Sequence, residues 1–160
     1  MQHAIGSKYA RPSAAAAEAI RSESAPVTSS SAGRVAVWRS SLDVLLTHPL
    51  GVGTGDVTDE LTAVYEQGGI DYARDRKLNP HNQWLQAGVA FGWAGVLVFS
   101  FILWSWLGMA WRGRSVIGFL CGTLFLLHAA VESVLEVQRG VVFLLWLWVA
   151  TLDEWPREPA

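Results

Sequence analysis

Between Ala87 and Trp111 the chain carries no charged side chain except at the border, and this run limits the possible folds more than any other feature. Read as one helix, it is long enough to cross a ~30 Å hydrocarbon layer with some tilt. Trp84 at one end and Trp104, Trp106 and Trp111 at the other suit the aromatic belts of a membrane–water interface. Ser115 to Val131 reads as a return span. Gly140 to Leu152 goes back again, but that run is too short alone and is expected to extend its helix through Glu132 to Arg139. Glu132, Glu136 and Arg139 would then share one helical face, turned to a protein interior or a water-filled cavity. Gly88, Gly92 and Gly95 offer a small-residue stripe for close helix approach.

Composition sharpens this picture. Hydrophobic residues make up 51% of the chain and charged ones 16%, but the two are segregated: all but one of the nine tryptophans lie from Trp84 onward. A soluble domain mixes these classes, so a polar region joined to membrane spans is the expected organisation. A net charge of −2 excludes a general nucleic-acid binder. Cys121 is the single cysteine, so no disulfide forms within one chain, and the four histidines show no metal-ligand spacing. Arg112-Gly113-Arg114 is the one basic loop between spans. By the positive-inside rule it is cytoplasmic, which puts the first half of the chain on the outer face.

Residues 1–32, rich in Ala and Ser with Pro12 and Pro26, read as a flexible linker with a short helix over Ala14 to Arg21. No signal peptide is legible there. A chain with spans but no leading apolar segment inserts through its later helices or is a piece of something longer. Residues 33–80 form a loop region with short helices. Val35, Trp38, Leu42 and Leu45 recur at helical spacing, predicting an amphipathic helix from Arg34 to Leu46, stopped by Pro49. Gly51-Val52-Gly53-Thr54-Gly55 lacks the context of a nucleotide loop and reads as a tight turn. Asp56 to Gln67 is a second short helix, capped by Asp56, with Val57, Leu61 and Val64 on its apolar face and Gly68-Gly69 at its end. Asp71 to Lys77 is a mixed-charge segment, either solvated or holding an anionic headgroup.

The stretch Asn79-Pro80-His81-Asn82-Gln83-Trp84-Leu85-Gln86 leads into the long apolar run. Asn79 as N-cap and Pro80 as first helical residue put His81 in the first turn, at the positive end of the helix dipole. Such a place suits a neutral histidine beside an anion, acting as a general base. The plainer reading is that His81 and Asn82 cap a membrane helix at its interface. Arg34 and Arg39 offer planar donor forks for a phosphate or diphosphate, or else are solvated.

Three pieces in this order, Arg34-Val35-Ala36-Val37-Trp38, His48-Pro49-Leu50-Gly51-Val52-Gly53-Thr54-Gly55 and Asn79 to Gln86, resemble the O-antigen ligase/polymerase family of bacterial membrane glycosyltransferases. Glu132 to Gly140 resembles the family's C-terminal element, so the likeness covers about Gly33 to Leu152. It implies a multi-pass inner-membrane protein with a large periplasmic loop. It also implies transfer of glycan from an undecaprenyl-diphosphate carrier to lipid A core or a growing polysaccharide, with no metal, nucleotide-sugar donor or other cofactor. His81 would activate the acceptor hydroxyl, Arg34 and Arg39 would bind the diphosphate, Asn82 would orient the site, and Glu132 and Glu136 would line or brace it.

The expected fold is therefore an all-α integral membrane protein, a periplasmic loop with short amphipathic helices followed by about three transmembrane helices. Residues 81–152 are the transmembrane region and 153–160 a cytoplasmic tail. Its partners are the lipid-linked glycan, the glycan acceptor, membrane lipids and a separate N-terminal membrane part, without which no activity is expected. The alternative function is a non-enzymatic membrane protein acting as a helix-interaction or lipid-glycan-binding module.

Overall fold

The computed structural model describes residues 30–152; the helix expected over Ala14 to Arg21 and the tail expected over 153–160 lie outside the described residues, while Ser30 to Ala32, expected to end the linker, begin a helix. All regular structure among the described residues is helical: α1 (Ser30–Thr47), α2 (Val57–Gly68), α3 (Asp71–Asp75), α4 (Gln83–Arg112), α5 (Val116–Val131), a single 3₁₀ turn (Val134–Glu136) and α6 (Gln138–Leu152). One helix, α4, is long and apolar enough to cross a membrane; α5 and α6 are apolar but shorter.

The side chains bury themselves in two separate cores. Val37 and Val44 of α1, Val57, Leu61, Val64 and Tyr65 of α2, Ile70, Ala73 of α3 and Val89 and Ala90 at the start of α4 make the first. Phe99, Leu103 and Trp106 of α4, Phe125 and Ala129 of α5 and Val134 of the 3₁₀ turn make the second. Between them α4 is broken at Gly92, a residue with φ 67° and ψ −155°, and its first arm folds back so that Trp84 packs against the second core and donates to Ser100 Oγ (3.1 Å).

That break is matched by the glycine-rich turn after α1. Interrupting the helix releases backbone groups that must find partners elsewhere. Val52 N–H donates to the Val89 carbonyl (2.9 Å), Gly53 N–H to the Ala90 carbonyl (3.0 Å), and Trp93 N–H to the Pro49 carbonyl (3.0 Å). A Cβ on Gly92 would run into the Pro49 carbonyl, and one on Gly51 into the Ala90 carbonyl and Gly92 nitrogen. Both glycines also have positive φ, so backbone conformation and close approach demand them together. The expected small-residue stripe does permit close approach, and it is taken up inside the chain. Gly88 is covered by Leu45 of α1, Gly92 by the Pro49–Gly51 turn, and Gly95 by the helix's own Ala87 and Phe91 across the break.

α2 matches its predicted face, and its end is a left-handed Gly69 followed by an Ile70 N–H bond to the Tyr65 carbonyl (2.9 Å). Asp56 occupies the N-cap position but makes no side-chain capping bond. α1 is rotated from its predicted stripe: Val35 and Leu42 are exposed, while Val37, Ser40, Ser41, Val44 and Leu45 are buried. Small serines let the helix sit close to its neighbours, and Ser41 satisfies its hydroxyl on the Val37 carbonyl (2.8 Å). The mixed-charge segment folds as α3, where Arg74 pairs with Asp71 (2.8 Å) and Asp75 (2.9 Å).

Two further expectations are corrected. Helix α4 starts at Gln83, not at Pro80: its N-cap is Asn82, whose Oδ1 accepts from Trp84 N–H (3.0 Å) and Leu85 N–H (3.1 Å). Glu132, Glu136 and Arg139 do not share a helical face, because α5 ends at Val131 and Glu132 is extended (φ −143°, ψ 150°). Glu136 closes the 3₁₀ turn, and only Gln138 and Arg139 belong to α6.

Candidate functional site

The segment from Leu78 to Asn82 is a loop pinned from several elements. Tyr65 Oη of α2 donates to the Leu78 carbonyl (3.0 Å), and Trp38 Nε1 of α1 donates to the Pro80 carbonyl (2.8 Å). Burial pushes the Tyr65 phenol far up from its ordinary value, with Tyr72 nearby adding to this, so it remains a donor throughout the working pH range. Asn79 Oδ1 accepts from His81 N–H (3.2 Å), and Pro80 is fully buried. Held this way, His81 adopts the left-handed conformation at φ 47°. Strained backbone of this kind persists only where the surroundings over-determine it.

The next contacts join the two distant sequence elements into one structure. His81 Nδ1 lies 3.0 Å from Glu132 Oε2. Asn82 Nδ2 donates to the Ala130 carbonyl (2.9 Å), taking up one of the carbonyls that the end of α5 leaves without a helical partner. Gln83 Oε1 accepts from Leu135 N–H (2.7 Å). Three successive side chains, 81 to 83, thus each hold the segment 130–135.

His81 opens on a cavity of about 780 Å³ lined by the polar side chains of Asn79, His128, Glu132, Ser133, Glu136 and Arg139 and by the apolar ones of Leu124, Phe125, Val134, Val137, Phe143 and Leu147. Ser133 Oγ is buried and has no partner among the described residues. The lining therefore combines ionisable side chains with large apolar ones. A second cavity, of about 600 Å³, lies against both arms of α4, where Gln83, Gln86, Val98 and Ile102 line it together with Thr54 and Glu136.

Of the residues marked in the sequence, the structure brings together His81, Asn82, Glu132 and Glu136. Arg34 and Arg39 are on α1 with exposed side chains, outside this cavity; Arg34 stands one turn before Trp38, whose indole holds the carbonyl just ahead of His81. The expected anion site at the start of α4 is already filled, since Asn82 takes the Trp84 and Leu85 N–H groups. Sequence reasoning turned Arg139 toward a cavity, though through a helix that does not form, and missed His128. His128 stands one turn before Glu132 at the end of an apolar run, a spacing that marks the same helix end.

Comparison with known proteins gives one finding. The family model for O-antigen ligase matches residues 9–100, a span that includes α1 to α3, the glycine-rich turn, His81 and the break at Gly92. Glu132 to Gly140 lies beyond it. No curated protein and no solved structure matches the chain. With more than half of its 160 residues matched, the chain belongs to the O-antigen ligase family.

Proposed function

We propose that this chain carries the acceptor-activating site of a glycosyltransferase that moves a glycan from an undecaprenyl-diphosphate carrier to lipid A core or a growing polysaccharide. The observation that supports it is the cavity at His81. Its mixed lining of ionisable and large apolar side chains suits a ligand with a charged head and a hydrocarbon tail. His81 is the general base. Its ring nitrogen takes the proton of the acceptor hydroxyl as the oxygen attacks the anomeric carbon, and the bond to the diphosphate breaks with its electron pair leaving on the diphosphate. Positive charge near that leaving group lowers the barrier. Arg139, which lines the cavity, is proposed as that charge, with Arg34 and Arg39 of α1 as further diphosphate ligands. Asn82 orients the site by holding the start of α4 to the end of α5.

The same reading places α4, α5 and α6 in the inner membrane with residues 33–80 in the periplasm. Large apolar side chains stand exposed along these helices, Phe101, Trp104, Leu120, Leu127 and Trp146 among them, a surface that water tolerates poorly and lipid accepts. One arginine in the cavity lining is little charge for a diphosphate, so a separate membrane part completes the carrier site, and the purified chain alone is expected to give no transfer. The deciding experiment is His81→Ala in the complete membrane assembly. Transfer should vanish while the membrane level of the protein is unchanged; normal transfer would remove His81 from catalysis.

A further inference from the structure

We infer that Glu132 is a positioning residue that decides which nitrogen of the His81 imidazole is free to take a proton, a role that rests on reading His81 as the base. A carboxylate has no proton to give, so the 3.0 Å contact between His81 Nδ1 and Glu132 Oε2 places the ring proton on Nδ1. Nε2 is then the bare, accepting nitrogen. An imidazole left to itself in water favours the opposite tautomer, so the contact does chemical work that the ring alone would not do.

The geometry argues that this is direction rather than stability. Both side chains are part-exposed, at 37% and 44%, and an ion pair in such a setting adds little to folding. Yet the pair is flanked on both sides by bonds that hold its two segments in register, Asn82 to the Ala130 carbonyl and Gln83 to Leu135 N–H. His81 is held in a left-handed backbone conformation to reach it. His128, Glu136 and Arg139 share the cavity, but Glu132 is the group in hydrogen-bond contact with the ring. When Nε2 accepts the hydroxyl proton, the imidazolium charge forms next to the carboxylate.

Nitrogen-15 NMR on the full chain with labelled histidine, in lipid nanodiscs, tests this without any transfer assay. The His81 signals are those lost in His81→Gln. In the wild-type protein the neutral ring should carry its proton on Nδ1. Glu132→Gln keeps an accepting oxygen and should keep that tautomer; Glu132→Leu should lose most of it to the Nε2–H form. A wild-type ring protonated on Nε2 would overturn the proposal, with no variant needed. So would a Glu132→Leu protein, its His48 and His128 signals unmoved, that kept the Nδ1–H form. The base itself is judged separately: intact transfer in His81→Ala refutes the base, whereas an Nε2–H imidazole refutes Glu132 alone.

Discussion

Tyr65 and Trp38 reach the loop before His81 from two different helices, and each does so with one polar atom on an otherwise apolar ring. Removing that atom while keeping the ring isolates the bond. Tyr65→Phe leaves the Leu78 carbonyl without its donor and should cost about 1 kcal/mol of stability, read by thermal unfolding in detergent. Transfer by the complete assembly should fall more than this loss explains, because the loop aims His81. Glu60 gives a prediction in pH. It is buried at 4% exposure, one carboxylate oxygen lacks a partner, and burial lifts its pKa above the ordinary 4.5, opposed by His48 and aided by Asp56. The folded state therefore holds its proton more tightly than the unfolded one, so stability falls as pH rises from about 4.5 through the folded value. Glu60→Gln should match wild type in acid and exceed it at neutral pH, in unfolding scans across that range. At this scale the sequence named His81 and Asn82 but capped the helix on the wrong asparagine. Asn79 and Asn82 are equally good caps locally. What separates them is that the carbonyl of Pro80 is taken by a tryptophan 42 residues earlier, which no local pattern records.

α4 shows how an element can be continuous in pattern and broken in space. Its apolar run gives no hint of a stop, since the residues on both sides of Gly92 are good membrane-helix formers. The break is written instead in the glycine turn after α1, whose backbone supplies the missing partners. Reading that turn as a tight bend was right about its conformation and silent about what it docks on. Gly92→Ala adds both a collision with the Pro49 carbonyl and strain at positive φ, so it should cost at least ~3 kcal/mol. Gly108→Ala, in the same helix with open space around it, should be neutral or gain up to about 1 kcal/mol. Unfolding of the two variants side by side checks the contrast; equal effects would mean the turn is not what holds the break. The segment after α5 fails as a helix for a related reason. Gly140 lets the Val134 carbonyl lie against the start of α6, and Glu132 is drawn away to His81. Spacing alone put three ionisable residues on one face, whereas the partner of Glu132 is 51 residues upstream.

For the molecule as a whole, the break at Gly92 divides α4 into two arms that lie side by side. The first arm packs into the core of α1 to α3 and folds back on the second, with Trp84 Nε1 donating to Ser100 Oγ (3.1 Å) and the Trp84 ring edge-on to Phe99. The second arm, residues 93–112, is a helix of roughly 30 Å at 1.5 Å per residue, the thickness of a hydrocarbon layer. Broken backbone is tolerated near lipid only where protein covers it, and the Pro49–Gly53 turn does this. The basic Arg112-Gly113-Arg114 connection precedes α5, whereas His81 meets Glu132 just beyond the other end of α5. If residues 93–112 and α5 cross, those two ends face opposite sides, and the positive-inside rule assigns Gly113 to the cytosol. In a Cys121→Ala background, Asp59→Cys on the exposed face of α2 should react with a membrane-impermeant maleimide added to intact cells. Gly113→Cys, which leaves both arginines in place, should react only after the membrane is opened. Labelling of both from outside would mean that α4 does not cross, and the reverse pattern would put His81 in the cytosol. That reverse pattern would leave the imidazole without access to a glycan carried on the outer leaflet, whatever the geometry around Glu132.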